Sequence, residues 1–226
     1  MHASPRATRV LIAGPLALLL GATLAAPAFA QDAEAALDGT WAVDPGIGSF
    51  DYDAGDFSGS WVGYRVPEEL VSIGGVTAVG RTPDIGGTIT VEGTSLASAD
   101  LTADLTTLRS DSSFRDRALS GQGIVTNEFP TATFVLTEPI ELGELPAEGE
   151  SFAVEATGDL TLHGVTQNVT IPLNAVWQGD IIGVSGSLTF PWELFEMERP
   201  TAMSVVSLAD EVTMELQVFF RQDDAA

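Results

Sequence analysis

Few side chains in this sequence could do chemistry. There are two histidines, no cysteine, and nine basic residues, all of them arginine. His2 falls in a leader read below as a secretion signal, so His163 is the one imidazole left in the body of the chain. Without Cys or Lys most nucleophile and base pairings are unavailable, and a catalytic zinc, which draws on several imidazoles, has no ligand set. The 32 acidic residues could supply a paired-carboxylate centre of the glycosidase kind. None lies in an apolar stretch that would raise its pKa, so chance proximity of two carries no chemical signal. Asp51, Asp53 and Asp56 offer oxygen ligands, but not the twelve-residue loop ending in Glu that makes a calcium motif specific, and they read as a solvated acidic loop. Arg115-Asp116-Arg117 sits beside Phe114 and Leu119. An Arg there could receive a ligand's phosphate or carboxylate at a cavity mouth, or lock a loop through hydrogen bonds to backbone. Asn168-Val169-Thr170 matches a glycosylation acceptor, which matters only in a cell with that machinery. The expectation is a protein that is not an enzyme, with no cofactor and no metal.

What must position these groups is β-structure, clearest at residues 158–173, GDLTLHGVTQNVTIPL. With His163 and Gly164 as the loop of a hairpin, Leu162 faces Val165, Leu160 faces Gln167, Gly158 faces Val169, Ala156 faces Ile171 and Val154 faces Leu173. The other face pairs Thr161 with Thr166, Asp159 with Asn168, Thr157 with Thr170 and Ala153 with Asn174, as expected when one side is wet. A slip of one residue would destroy both sets. The turn chemistry agrees, because a type I′ turn needs positive φ at both central residues, which Gly takes freely and His tolerates better than most, so His163 has a structural job available.

Alternation extends through most of the chain. A short first strand holds Trp41 and Val43 before the Asp44-Pro45 turn, and residues 46–59 read as loop with a brief extended piece at 49–52. Strands are expected at 60–66 and 70–79, with Pro67 marking a break or an edge between them. Gly87, Ile89 and Val91 alternate with polar residues, as do Ala97, Ala99, Leu101, Ala103 and Leu105. Residues 107–130 lose the pattern; a helical turn or two is expected near 113–119, with Ser113 as a cap. Strands resume at 131–137, 152–162, 165–177, 181–190 and 211–220, with an irregular stretch at 191–206. Eight or nine long strands without an extended amphipathic helix argue an all-β antiparallel barrel or sandwich. Small inward residues (Gly87, Ala97, Ala99, Ala103, Ala156, Gly158 and Gly186) fit either a lumen left open for a ligand or sites where backbones approach closely.

Residues 1–30 read as a secretion signal, with Arg6 and Arg9 ahead of an apolar run and Ala28-Phe29-Ala30 at the cleavage point. A retained N-terminal anchor is the alternative. Residues 31–36 form an acidic lead expected to be mobile, 37–221 the domain and 222–226 a tail. A lipoprotein anchor would require a Cys at the cleavage site, and disulfide staples are likewise out of reach. Two of the nine arginines lie in the leader and none of the 32 acids does, so residues 31–226 carry about −25. Such a surface repels nucleic-acid phosphates and disfavours electrostatic docking on anionic lipid, and it serves solubility or adaptation to salt.

Residues 105–134, LTTLRSDSSFRDRALSGQGIVTNEFPTATF, resemble the Thr-rich strand, Arg-Asp helix and Phe-Pro stretch of the YceI family of exported proteins. The 158–173 hairpin is similar to that family's second signature, and Trp41-Ala42-Val43-Asp44 to its usual opening. The resemblance implies a lipocalin-like eight-stranded antiparallel β-barrel with a short helix near 113–119, whose apolar lumen holds the tail of a polyisoprenoid or similar amphiphile. It also implies a place outside the cytoplasm, periplasmic or secreted, and the option of a homodimer; because no later apolar segment is long enough to cross a bilayer, no stable membrane insertion is expected after cleavage. On this reading the lumen candidates are Tyr64 (in preference to Trp61), Val91, Leu101, Phe134, Val154, Ile171, Leu188 and Leu216, with Arg115 and Arg117 at the mouth. The rival is a packed barrel serving as an extracellular structural or interaction module. The sequence departs from the family pattern at Arg117-Ala118-Leu119, at Ser120-Gly121-Gln122-Gly123, near Glu68, where a common His is missing, and in an inserted loop at 53–59.

Overall fold

A computed structural model describes residues 37–143 and 145–223. The leader, the acidic lead and the last three residues of the tail lie outside the described residues. The elements are β1 (Gly39–Val43), β2 (Phe50–Asp51), β3 (Asp56–Phe57), β4 (Trp61–Leu70), β5 (Gly74–Thr82), β6 (Ile85–Glu92), β7 (Ser95–Asp104), β8 (Arg109–Ser110), α1 (Ser113–Gly121), β9 (Thr131–Leu136) and β10 (Ile140–Glu141), followed by β11 (Phe152–Leu162), β12 (Val165–Gln178), β13 (Ile181–Pro191), a 3-10 turn (Trp192–Phe195), β14 (Val205–Leu208) and β15 (Glu211–Gln222). Strands β1, β6, β7, β9, β11, β12, β13 and β15 pair in that order, and β1 returns to β15, so eight antiparallel strands close a barrel. Each strand of the ring has a partner on both sides, although β11 meets β9 only along Gly158–Thr161 and β12 meets β13 only along Leu173–Gln178. Strand β15 serves two partners on one side, β4 along Thr213–Gln217 and β1 along Phe220–Gln222. At the β4 end the wall therefore continues into β4, β5 and β8.

The hairpin of β11 and β12 has the expected register at every pair, from Leu162 opposite Val165 to Ala153 opposite Asn174. Its wet face is laced by Thr157 with Thr170 at 2.9 Å, Thr161 with Thr166 at 2.8 Å and Asn168 donating to Asp159 at 2.9 Å. His163 (φ 54°) and Gly164 (φ 73°) make the left-handed turn. The imidazole contacts the Phe195 carbonyl through Nδ1 at 3.1 Å and meets Phe129 edge-on at 4.5 Å. A Cβ on Gly164 would stand 2.6 Å from the Phe129 ring. Gly164→Ala is thus expected to cost about 1–3 kcal/mol, read as a lower urea midpoint with an unchanged m value.

Three expectations are corrected. Pro67 does not interrupt β4, which runs through it to Leu70. In an antiparallel strand N–H and C=O of one residue point the same way, and the Pro67 carbonyl accepts from Ala209 between β14 and β15. The missing N–H therefore faces a gap in the ladder, where a proline costs little. A bulge in β7 sets Val91 opposite Leu96 and Thr90 opposite Ser98, so Leu96 takes the inward place expected of Ala97. Ser112, not Ser113, caps α1, its hydroxyl accepting from the Arg115 N–H.

The interior is packed at both ends. Trp41, which is fully buried and donates to the Leu37 carbonyl at 2.9 Å, joins Trp177, Val218 and Phe220 at one end. Phe195, Trp192, Phe190 and Leu119 pack at the other, under α1. The first strand is tied down by Asp44, whose carboxylate accepts from Arg221 Nε at 2.6 Å and from the Gly46 N–H at 2.8 Å. The Arg221 hydrogen bond, then the Gly46 N–H, hold the Asp44 carboxyl below its ordinary 3.8. A carboxyl with a depressed folded pKa stabilises fully above the unfolded value and loses that contribution as pH falls through the folded one. Asp44→Asn should accordingly be less stable than the parent at neutral pH, with the gap closing as pH falls below the ordinary 3.8 and through the depressed folded value in melts across an acid series.

Candidate functional site

Strand β4 is the ruler along which the interior is laid out. Its even-numbered residues, Val62, Tyr64, Val66, Glu68 and Leu70, point inward, as period two requires. They span about 27 Å at roughly 3.3–3.4 Å per residue. Three chambers follow one another along this row. The innermost, about 130 Å³, is lined by apolar side chains apart from Thr102 and Thr133. The middle one, about 70 Å³, lies beneath α1 and shares Val62, Ala132, Leu160 and Met214 with the first. The outer one, about 120 Å³, shares Tyr64, Leu119 and Trp192 with the second and is bounded outward by Phe114, Arg115, Ala202 and Val205.

Four of the expected lumen residues, Leu101, Phe134, Ile171 and Leu216, line the inner chamber, and Tyr64 lines the middle and outer ones. Val91 is buried in the packed cluster around Trp41, and Leu188 packs partly buried against the cluster under α1; neither lines a chamber. Val154 lines an open groove with Ile140 and Phe152, because β9 accompanies β11 only from Gly158 to Thr161 and the wall opens below. Trp61 faces away from the lumen and stacks on the Arg81 guanidinium, 4.2 Å from its ring. The small residues divide. Ala99, Ala103 and Ala156 line the inner chamber, whereas a Cβ on Gly158 would strike Phe134 at 2.5 Å and one on Gly186 would strike Leu173 at 2.5 Å.

The polar groups gather where the middle and outer chambers meet. Glu68, with its side chain 4% exposed, accepts from Arg115 at 2.5 Å, and Arg115 also pairs with Asp111. Burial works to lower the Arg115 pKa, but the Glu68 and Asp111 carboxylates outweigh it and hold it above its ordinary value. Asp116 accepts from the Ser110 N–H at 2.9 Å and from its hydroxyl at 2.6 Å. Arg115 and Asp116 thus fasten α1 over the barrel end. Arg117 stays exposed, 5.7 Å over the Phe114 ring. The Tyr64 hydroxyl and Arg115 Nε, both buried and without a hydrogen-bond partner, are the exceptions to good polar pairing here. The Tyr64 ring lies over Gly80, where a Cβ would come within 2.3 Å, and burial pushes the phenol pKa well up. The sequence marks Glu68 only as a place where the family's common His is missing; its even place in the β4 alternation, hidden by the break expected at Pro67, is the signal for its burial.

Among the described residues no group of three or more His, Cys, Asp or Glu is arranged to hold a metal ion. In the 51–56 loop, Asp51 caps the Asp53 and Ala54 N–H groups, Asp53 pairs with Arg109 at 2.6 Å and Asp56 accepts from Ser58.

The YceI-like domain model matches residues 54–220. The chain belongs to the YceI family. That is the family which residues 105–134 and 158–173 resemble. UPF0312 proteins of Vibrio parahaemolyticus and Vibrio campbellii are 31% and 32% identical to it over 126 residues, 53% of this chain. The chain spans 60% of the length of these curated relatives. Among solved structures, a polyisoprenoid binding domain from Saccharophagus degradans, implicated in plant cell wall breakdown, superposes with a TM-score of 0.55 at 17% identity, covering 73% of this chain and 98% of its own. Burkholderia cenocepacia BcnA gives 0.52 at 20% identity, over 70% and 95%. The Campylobacter jejuni YceI protein gives 0.52 at 18%, over 64% and 85%. These likenesses establish a YceI barrel; in this YceI domain the inner chamber occupies its lumen, the middle one its α1 end, and the outer one lies beyond the ring among β4, β5, α1 and residues 192–208.

Proposed function

We propose that this YceI domain is an exported, non-catalytic carrier that holds the apolar chain of a polyisoprenoid or similar long amphiphile in the inner and middle chambers. The polar end of the ligand lies toward Tyr64 and the Glu68–Arg115 pair. The observation that carries this reading is the file of two apolar chambers opening onto a polar junction with one unsatisfied hydroxyl. Each methylene taken from water contributes about 0.8 kcal/mol, so a prenyl chain needs few polar contacts. The inner chamber is of the size that admits one benzene-sized group. A longer chain must therefore displace flexible side chains, and Met214 at the junction, unbranched and adaptable, is placed to move. Arg115 serves by holding the helix, since both its acidic partners already occupy it. Export rests on the leader at 1–30, and the compartment is periplasmic or extracellular. No described helix is long and apolar enough to cross a membrane.

Native mass spectrometry of the protein purified from its own host tests the reading. A lipid-mass adduct lost on solvent extraction is expected; a clean apo mass, under conditions that preserve a control lipid complex, overturns it.

A further inference from the structure

The outer chamber opens through a patch unlike the rest of this acidic surface. Residues 70–80, LVSIGGVTAVG, and 200–209, PTAMSVVSLA, contain no charged side chain, in a chain with 32 acids and a net charge of −23. The fold brings the two runs together: the Val71 N–H donates to the Ser204 carbonyl at 2.9 Å, and Val205 lies opposite Leu70. The result is a cluster of large apolar side chains turned to solvent, with Ile73 71% and Met203 103% exposed, alongside Val71, Val206 and, on α1, Phe114. Among the described residues the other exposed large apolar side chains, Val135 and Val176, lie apart on β9 and β12. Scattered apolar residues need no explanation, whereas a contiguous patch at a cavity mouth marks a contact surface.

We propose that this patch docks on the surface of a lipid bilayer, with the tip of the β4–β5 hairpin and residues 200–206 entering the interface and the outer chamber facing the membrane. Three observations select this occupant. An uncharged apolar tip on a chain of −23 suits acyl chains better than a partner read by its charge. Arg117, exposed beside Phe114 at the rim, offers a cation to the phosphates of a bilayer into which Phe114 inserts. The patch also continues through Leu70 and Val205 into the outer chamber, and through Tyr64 into the middle one. This last point rests on the lumen reading: each methylene that must cross water slows release roughly fourfold, so a long-chain ligand exchanges only if the mouth meets a membrane. The high negative charge sets the preferred surface as zwitterionic, because anionic headgroups repel the body of the protein.

Flotation with phosphatidylcholine vesicles tests this. The mature protein is expected to rise with the vesicles, less so when phosphatidylglycerol is added, with the loss recovered by salt. The Ile73→Glu/Met203→Glu variant, which leaves the core untouched, should reduce the bound fraction at least about tenfold while still taking up a prenyl chain from detergent solution. Ala156→Phe, which fills the lumen, should float as the parent does. If the parent stays unbound yet takes up the chain from detergent, docking is wrong and the lumen reading stands. Equal flotation of the double glutamate variant also overturns docking, as does finding that the variant merely splits a dimer without altering flotation.

Discussion

Replacing Ala156 by Phe is expected to weaken capture of a prenyl chain by more than about 100-fold while leaving the barrel folded. Ala156 is 3% exposed, points inward from β11 and lines the inner chamber. A phenyl group there occupies the space that the first carbons of a ligand chain would take. Excluding four or five methylenes at about 0.8 kcal/mol each removes roughly 3–4 kcal/mol, or two to three decades in Kd. Overpacking costs the fold about 1–3 kcal/mol, which a thermal melt run beside the binding titration will register separately. Loss of stability without loss of binding would mean that the chain sits elsewhere.

The second large effect concerns the clasp between α1 and β4. Arg115→Met leaves the Glu68 carboxylate buried and uncompensated, which should cost about 3–5 kcal/mol. For a chain of this size that lowers Tm by roughly 6–20 °C. Removing both charges in Glu68→Leu/Arg115→Met should restore most of the loss, because a well-packed apolar pair is often no worse than a buried ion pair. The penalty thus belongs to the orphaned carboxylate, not to the missing bridge. Calorimetry on the two variants and the parent checks it; a single variant that melts like the parent would mean that water already reaches Glu68.

The parts of this barrel legible in the sequence are those where one physical rule acts alone. Residues 152–178 obey strict alternation about a turn whose only workable register buries one face, and every pair follows. The eight strands of the ring stand out for the same reason. What stayed hidden depends on events between segments. The β7 bulge adds one residue without disturbing composition, so Ala97 rather than Leu96 reads as inward. Pro67 reads as a break because the sequence does not reveal that its nitrogen faces a gap between β14 and β15. Glu68 then falls in that break, although it is the buried acid that anchors the helix. Gly158 and Gly186 do not widen the lumen, since Phe134 and Leu173 already lie across them. The exposed apolar tip became visible only when residues 70–80 and 200–209, far apart in the chain, were found side by side.

Binding of prenyl alcohols of increasing length to the delipidated mature protein tests the central claim most directly. If the chambers in file are the seat, affinity climbs steeply with each added isoprene and levels off once the chain fills them. An affinity independent of chain length, or one set by the headgroup alone, would contradict a lumen that holds the tail.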